Sequence, residues 1–202
     1  MKRNTTTAAP EAAPATVDAA QASADTRRWL ERAVIGLNLC PFAKAVHAKQ
    51  QVHYAVHLAP DDNAGLMDDL LEEAVALVAL PPSERDTTLL VAPHALVDFL
   101  DFNDFTARAE RRMKKAGFEG TLQLASFHPR FQFAGSNADE IANATNRAPY
   151  PTLHLLREES IDRAVDAFPD ADAIFGRNIE TLEALGADGW AALEVGPGRP
   201  AK

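Results

Sequence analysis

The chain holds a single cysteine, so no internal disulfide framework can staple it. No stretch approaches the roughly 18 consecutive apolar residues that a membrane span requires. Positive charge is in the minority: 20 Lys and Arg against 29 Asp and Glu give a net charge of −9. A general nucleic-acid surface needs a basic face to displace counterions, and this balance argues against one. The opening MKRNTTTAAPEAAPATVDAAQAS carries two early basic residues but no apolar h-region, so a secretory signal is not expected there. Nothing reads as a phosphate loop, a nucleophile elbow or a dinucleotide fingerprint. These absences predict a soluble, cytoplasmic protein with no membrane or nucleic-acid partner.

Apolar residues make up 47% of the 202, which is enough for one ordinary domain with tails. Residues 1–24 are rich in Ala, Pro and Thr and have little to bury, so they read as a disordered tail. Residues 25–194 read as a single globular α/β domain, and 195–202 as a flexible C-terminal tail.

Within the domain, Asp25 or Thr26 is expected to cap a helix whose Trp29, Leu30, Ala33, Val34 and Leu37 recur at helical spacing, ending at Gly36. QVHYAVHL (51–58) alternates like a strand. One of Asp61, Asp62 and Asn63 then caps a helix bearing Leu66, Leu70, Ala74, Leu77 and Val78, stopped by Pro81-Pro82. TTLLVA (87–92) reads as a strand covered on both faces. Ala95 to Ala116 reads as helix with a break near Asp101–Asn103, its Phe99, Phe102, Phe105, Ala109 and Met113 facing inward and Gly117 as its cap. TLQLASF (121–127) and TLHLLRE (152–158) are the last two strands, followed by helices near 159–167 and 174–185. Gly186 ends the latter, with a last turn around Trp190.

Alternating strands and helices imply right-handed crossovers and a small mixed, mostly parallel four-stranded sheet, with the fourth strand an antiparallel edge.

Between the last two strands runs HPRFQFAGSNADEIANATNRAPYP (128–151). Compact domains rarely keep so long a connection without a function, and this one concentrates groups that bind or react. Ligands in open α/β sheets collect beyond the carboxyl ends of parallel strands. His94 in VAPH and His128 in ASFHP follow two such strands, and His154 begins the next. Imidazole titrates near neutrality, which makes His128 and His154 the candidate acid/base pair. Arg147, held on a proline-stiffened segment, suits an anionic small molecule, or alternatively an ion pair with Asp139 or Glu140. Asn143, Asn146, Tyr150 and His94 are the further candidate ligand contacts.

Other constellations are weaker. His128, His154 and Glu158 could make a two-histidine, one-carboxylate metal site, but no tight spacing supports it, so no metal or cofactor is assigned. Cys40, in LNLCPF, has Lys44 as its nearest cation and reads better as a buried small hydrophobe than as a reactive thiol. Asp98, Asp101 and Asp104 are the wet face of an amphipathic helix. His47, His53 and His57 show no convergent partners in the sequence.

Several segments together carry a family resemblance: WLERAVIGLNLCPFAK, TTLLVAPHALVDFLDFNDF, LASFHPRFQFAG, NATNRAPYPTLHLLREESIDRAV and IFGRNIETLEALG. Over about residues 26–190 the chain resembles the bacterial family known as domain of unknown function 1415. The resemblance implies a small cytoplasmic bacterial protein and supplies no activity, cofactor or catalytic residue. The family more often has serine where Ala148 stands and proline where Phe175 stands.

Three readings of function follow. The first is a small-molecule enzyme or ligand-binding domain with His128 as acid/base, Arg147 gripping an anionic group, and His154 and Asn146 orienting. The second is a non-catalytic interaction or structural module whose 128–151 loop is a self-satisfied clasp. The third is thiol or redox chemistry at Cys40.

Overall fold

The computed structural model describes residues 16–166 and 173–198. Helix α1 (Ala19–Trp29) runs on into a π-helical turn, Leu30–Ile35, which ends at Gly36. It is followed by the short α2 (Ala43–Ala48), β1 (Val52–Val56), α3 (Asn63–Ala79), β2 (Thr87–Val91) and α4 (Phe99–Lys115). Then come β3 (Leu122–Phe127), a 3-10 segment (Ile141–Asn146), β4 (Thr152–Arg157), α5 (Glu158–Asp166) and α6 (Ile174–Ala192). The expected small α/β domain with one mixed four-stranded sheet is present.

The strand order is β1-β2-β4-β3, with β1 parallel to β2 and β4 antiparallel to both of its neighbours. β4 is therefore central rather than an edge, and only one of the three ladders is parallel. The physical reason is burial: Leu153 and Leu155 are among the most buried side chains, while β3 carries the exposed Gln123 and suits a rim. β1 and β3 are the edge strands.

Each face of the sheet has its own cover. Leu90, Leu153, Leu155 and Leu122 pack with Leu66, Leu70 and Leu77 of α3 and Phe102, Phe105, Ala109 and Met113 of α4. On the opposite face Leu89 packs with Trp29, Leu30, Ala33 and Val34 of α1 and its π-helical extension. Fully burying side chains of this size contributes about 1.5–3 kcal/mol each, which makes these two layers the main source of cohesion.

Four boundaries differ from the sequence reading. Helix α1 begins at Ala19, where the Asp18 side chain accepts from Gln21 N at 2.8 Å. Asp25 is consequently a buried mid-helix carboxylate rather than a cap, and the Thr26 hydroxyl donates back to Ala22 O. Helix α4 is unbroken at 101–103 and starts only at Phe99, because Asp98 caps it by accepting from Leu100 N at 2.9 Å. Helix α6 continues past Gly186, which kinks it at φ 68° instead of ending it. Residues 195–198 are held rather than free: Val195 is buried, and Gly198 N donates to Asp25 Oδ2 at 2.8 Å. Of the expected N-terminal tail, residues 1–15 lie outside the described residues.

Candidate functional site

The ends of β3 and β4 are already adjacent, since Phe127 pairs directly with Thr152. Antiparallel neighbours can be joined by about two residues, so nothing in the topology requires a connection as long as 128–151. The extra chain packs on itself, on α4 and on α6.

His128 is its anchor. The imidazole is fully buried, with Phe99 and Phe102 of α4 at ring-centroid distances of 5.4 and 5.1 Å. Nδ1 accepts from Arg130 N at 3.0 Å, so in the neutral ring the proton sits on Nε2, which donates to Leu96 O at 3.1 Å. That carbonyl belongs to a buried leucine with φ 54°, a left-handed conformation that a branched side chain adopts only when held. Burial pushes the His128 pKa down, opposed by the Leu96 bond and aided by the Arg130 charge. Both ring nitrogens are occupied and no surface is exposed. In this geometry neither ring nitrogen is free, where the sequence pointed to an acid/base group.

The remainder of the loop is bonded in the same manner. Asn143, also fully buried, accepts at Oδ1 from Phe133 N and the Ser136 hydroxyl and donates from Nδ2 to Asn137 O. Arg147 donates from Nε to Phe131 O at 3.2 Å and from Nη2 to Ala138 O at 2.6 Å. Its guanidinium thus binds loop carbonyls, where the sequence pointed to an anion or to Asp139 or Glu140. Asn146 offers its backbone carbonyl to His128 N at 3.1 Å.

The other expected site residues do not converge with His128. His94 donates from Nε2 to Val17 O at 2.8 Å and so ties the start of the chain to the end of β2. Tyr150 is buried, its hydroxyl donating to Asp25 Oδ2 at 2.7 Å. Asp25 also receives Gln21, Arg28 and Gly198; burial alone would raise its pKa, but these bonds hold the carboxyl below the ordinary range. His154 sits on the face of the sheet opposite to His128. Its cross-strand neighbour is Leu89 of the α1 layer, and Phe127 lies 6.0 Å from its ring, whereas His128 lies under α4. Strand alternation separates the two imidazoles, so they form no common pocket. The Nε2 of His154 meets the Thr87 hydroxyl at 2.6 Å, which itself donates to Leu155 O. Burial pushes the His154 pKa down to about 4.

Burial pushes the Cys40 thiol up, opposite to what a reactive thiolate needs. It packs with the α1 layer, as its apolar neighbours implied. Glu158 opens α5, its N–H bonded to Thr121 O. Among the described residues no three His, Cys, Asp or Glu side chains lie close enough to hold a metal, so His128, His154 and Glu158 do not form such a centre.

A different polar seam escaped the sequence reading. His57, just beyond β1, has its Nδ1 2.7 Å from Asp69 Oδ2, and His53 Nε2 is 3.8 Å from Glu73 Oε2. Two histidines four apart on a strand share a face, and carboxylates four apart on a helix do too. That double spacing, His53/His57 against Asp69/Glu73, was the available signal. Beside them lies a cleft of about 240 Å³ lined by His53, Ala55, Val56, Asp69, Glu72, Glu73 and Leu90.

A family model described as protein of unknown function (DUF1415) matches residues 21–192, and the chain belongs to that family. No curated protein and no solved structure matches the chain. No helix among the described residues is long and apolar enough to cross a membrane.

Proposed function

We propose that the protein is a non-catalytic interaction module, and that residues 128–151 are a structural clasp rather than an active-site loop. One observation carries this reading. The His128 imidazole, the Asn143 amide and the Arg147 guanidinium all bond to backbone or side-chain groups of the loop itself and of the adjoining Leu96 turn. A general acid or base needs a ring nitrogen within reach of its ligand, and both nitrogens of His128 are bonded within the fold.

Apolar groups adjoin the clasp. Its Phe131 meets Phe99 edge-on at 5.4 Å, and Val97 and Leu100, close to Phe99 in the chain, are 61% and 71% exposed. Exposed apolar groups gathered in this way suit contact with another protein. A bacterial cytoplasm, with neither nucleic acid nor membrane as partner, is the setting that fits an acidic chain with one half-buried thiol.

Thermal and urea unfolding of His128→Ala and Arg147→Ala test the proposal. Removing His128 strands Leu96 O and Arg130 N and empties a ring-sized volume, a loss of about 3–5 kcal/mol. Removing Arg147 unpairs two carbonyls, at about 1–3 kcal/mol. Wild-type stability in both variants would refute the clasp.

A further inference from the structure

The sheet ends in two strands, β1 and β3, and their outer edges are not alike. At β3, Glu158 N donates to Thr121 O, which turns the odd-numbered residues toward β4 and the even-numbered ones outward. Two of the outward groups are already bonded: Leu122 N donates to Phe118 O at 2.9 Å and His128 N to Asn146 O at 3.1 Å. Only Leu124 and Ser126 stay open between them. At β1, Thr87 N donates to Gln51 O and His57 N to Val91 O, so here the odd-numbered residues turn their peptide groups toward β2. Val52, Tyr54 and Val56 therefore turn theirs outward. Their N–H and C=O groups meet no partner among the described residues, and none of the three residues is buried.

An open edge invites pairing with another chain, and natural sheets blunt it with lysine, proline or a bulge. The β1 sequence VHYAV has none of these, and its register with β2 is unbroken from Val52 to Val56. Tyr54, the middle residue, adds a second unmet group: its hydroxyl is buried with no hydrogen-bond partner among the described residues. On the α3 side of this strand stand Asp69, Glu72 and Glu73, the first beside His57 and the last beside His53. The nearby Arg85 guanidinium is already taken up by Glu73 and the Thr88 hydroxyl. On the α1 side the strand offers Val52 and Tyr54, with the Arg27 guanidinium 4.7 Å above the Tyr54 ring.

We propose that the open edge of β1 receives an extended segment of a partner protein as a fifth strand, one whose basic and apolar side chains alternate. The main-chain groups of Val52, Tyr54 and Val56 hold the segment, and strand alternation sorts its side chains. A strand added about 4.8 Å beyond β1 brings lysine or arginine on the α3 side within reach of Asp69, Glu72 and Glu73. Its apolar residues lie against Val52 and Tyr54, where the Arg27 charge disfavours a further cation. A second copy of this chain is the poorer occupant. Pairing β1 with itself would set two rows of these carboxylates on one side of a joined sheet, between chains of net charge −9. The edge shares no residue with the 128–151 clasp.

The test mixes the full-length protein with a capped peptide of about nine residues, lysine and valine in alternation, and follows backbone amide exchange by NMR. The expected result is saturable binding, with the amides of Val52, Tyr54 and Val56 slowed at least about tenfold. The amides of Ala55 and His57, already bonded to β2, should change little. N-methylating the central amides of the peptide, or replacing its lysines by glutamate, should weaken binding at least about tenfold. Glu72→Gln, at an exposed position, should weaken it at least about threefold. The altered peptides leave the protein untouched, so they decide even if Glu72→Gln perturbs the fold. Equal affinity for the N-methylated peptide would overturn the proposal, because charge alone would then be recognised. Exchange slowed without the alternating pattern would overturn it too. So would slowing of these same amides in the peptide-free protein as its concentration rises, which would make a second copy the occupant.

Discussion

His154 should make the stability of this protein fall steeply with acid, and its replacement by glutamine should remove much of that dependence. In the folded chain the imidazole titrates at about 4, against an ordinary value of 6.5. The unfolded chain therefore binds a proton over this range while the folded chain does not. The stability held in the neutral ring is complete above about pH 6.5 and is lost as pH falls through about 4. The gap between the two values is worth at most about 3 kcal/mol, of which about 2 kcal/mol is gone by about pH 5. Glutamine can still donate to the Thr87 hydroxyl, so the contact at 2.6 Å has a substitute that does not titrate. Urea unfolding of wild type and His154→Gln at a series of pH values should give stability curves that converge, by about 2 kcal/mol, between about pH 7 and pH 5. Parallel curves would show that His154 has an ordinary pKa in the folded state and would refute the argument from desolvation.

Other perturbations test other parts of the fold. Arg157→Ala should cost about 3 kcal/mol or more in thermal unfolding, because its buried guanidinium serves the carbonyls of Leu77, Leu80 and Arg85 where α3 ends. Tyr150→Phe should cost about 1–2 kcal/mol and Asp25→Ala clearly more. The phenol removes one bond, whereas the carboxylate leaves Tyr150, Gln21 and Gly198 without an acceptor. If the two were equally mild, Asp25 would not be the hub of that network. Cys40 should react with iodoacetamide at neutral pH more slowly than a free model thiol and reach the model rate only in denaturant.

The fold was largely legible because its signals are local. The stripe of Phe102, Phe105, Ala109 and Met113 marks α4 whatever surrounds it, and the all-buried TTLLV run marks an interior strand. The place of β4 was not legible: strand order depends on which faces remain to be covered, and Leu153 and Leu155 carry no label saying interior rather than rim. The bonding of the expected site residues was not legible for a related reason. His128 and Arg147 have the composition of a ligand pocket, but an imidazole with a backbone N–H on one side and a carbonyl on the other looks identical in sequence to a catalytic one. Only the tertiary position of Leu96, thirty-two residues away, separates the two cases. The His57–Asp69 pair was likewise not legible, because the carboxylate is on the next helix and the spacing match becomes visible only once β1 and α3 are set side by side.

The account stands most directly on the state of His128 in the native protein, and ¹⁵N NMR of its ring through a pH titration reads that state. The clasp predicts a single neutral tautomer with the proton on Nε2, an Nδ1 that accepts a hydrogen bond, and a ring that titrates below its ordinary range. A ring that exchanges tautomers and titrates near its ordinary value would mean that solvent reaches it, and that residues 128–151 are an open site after all.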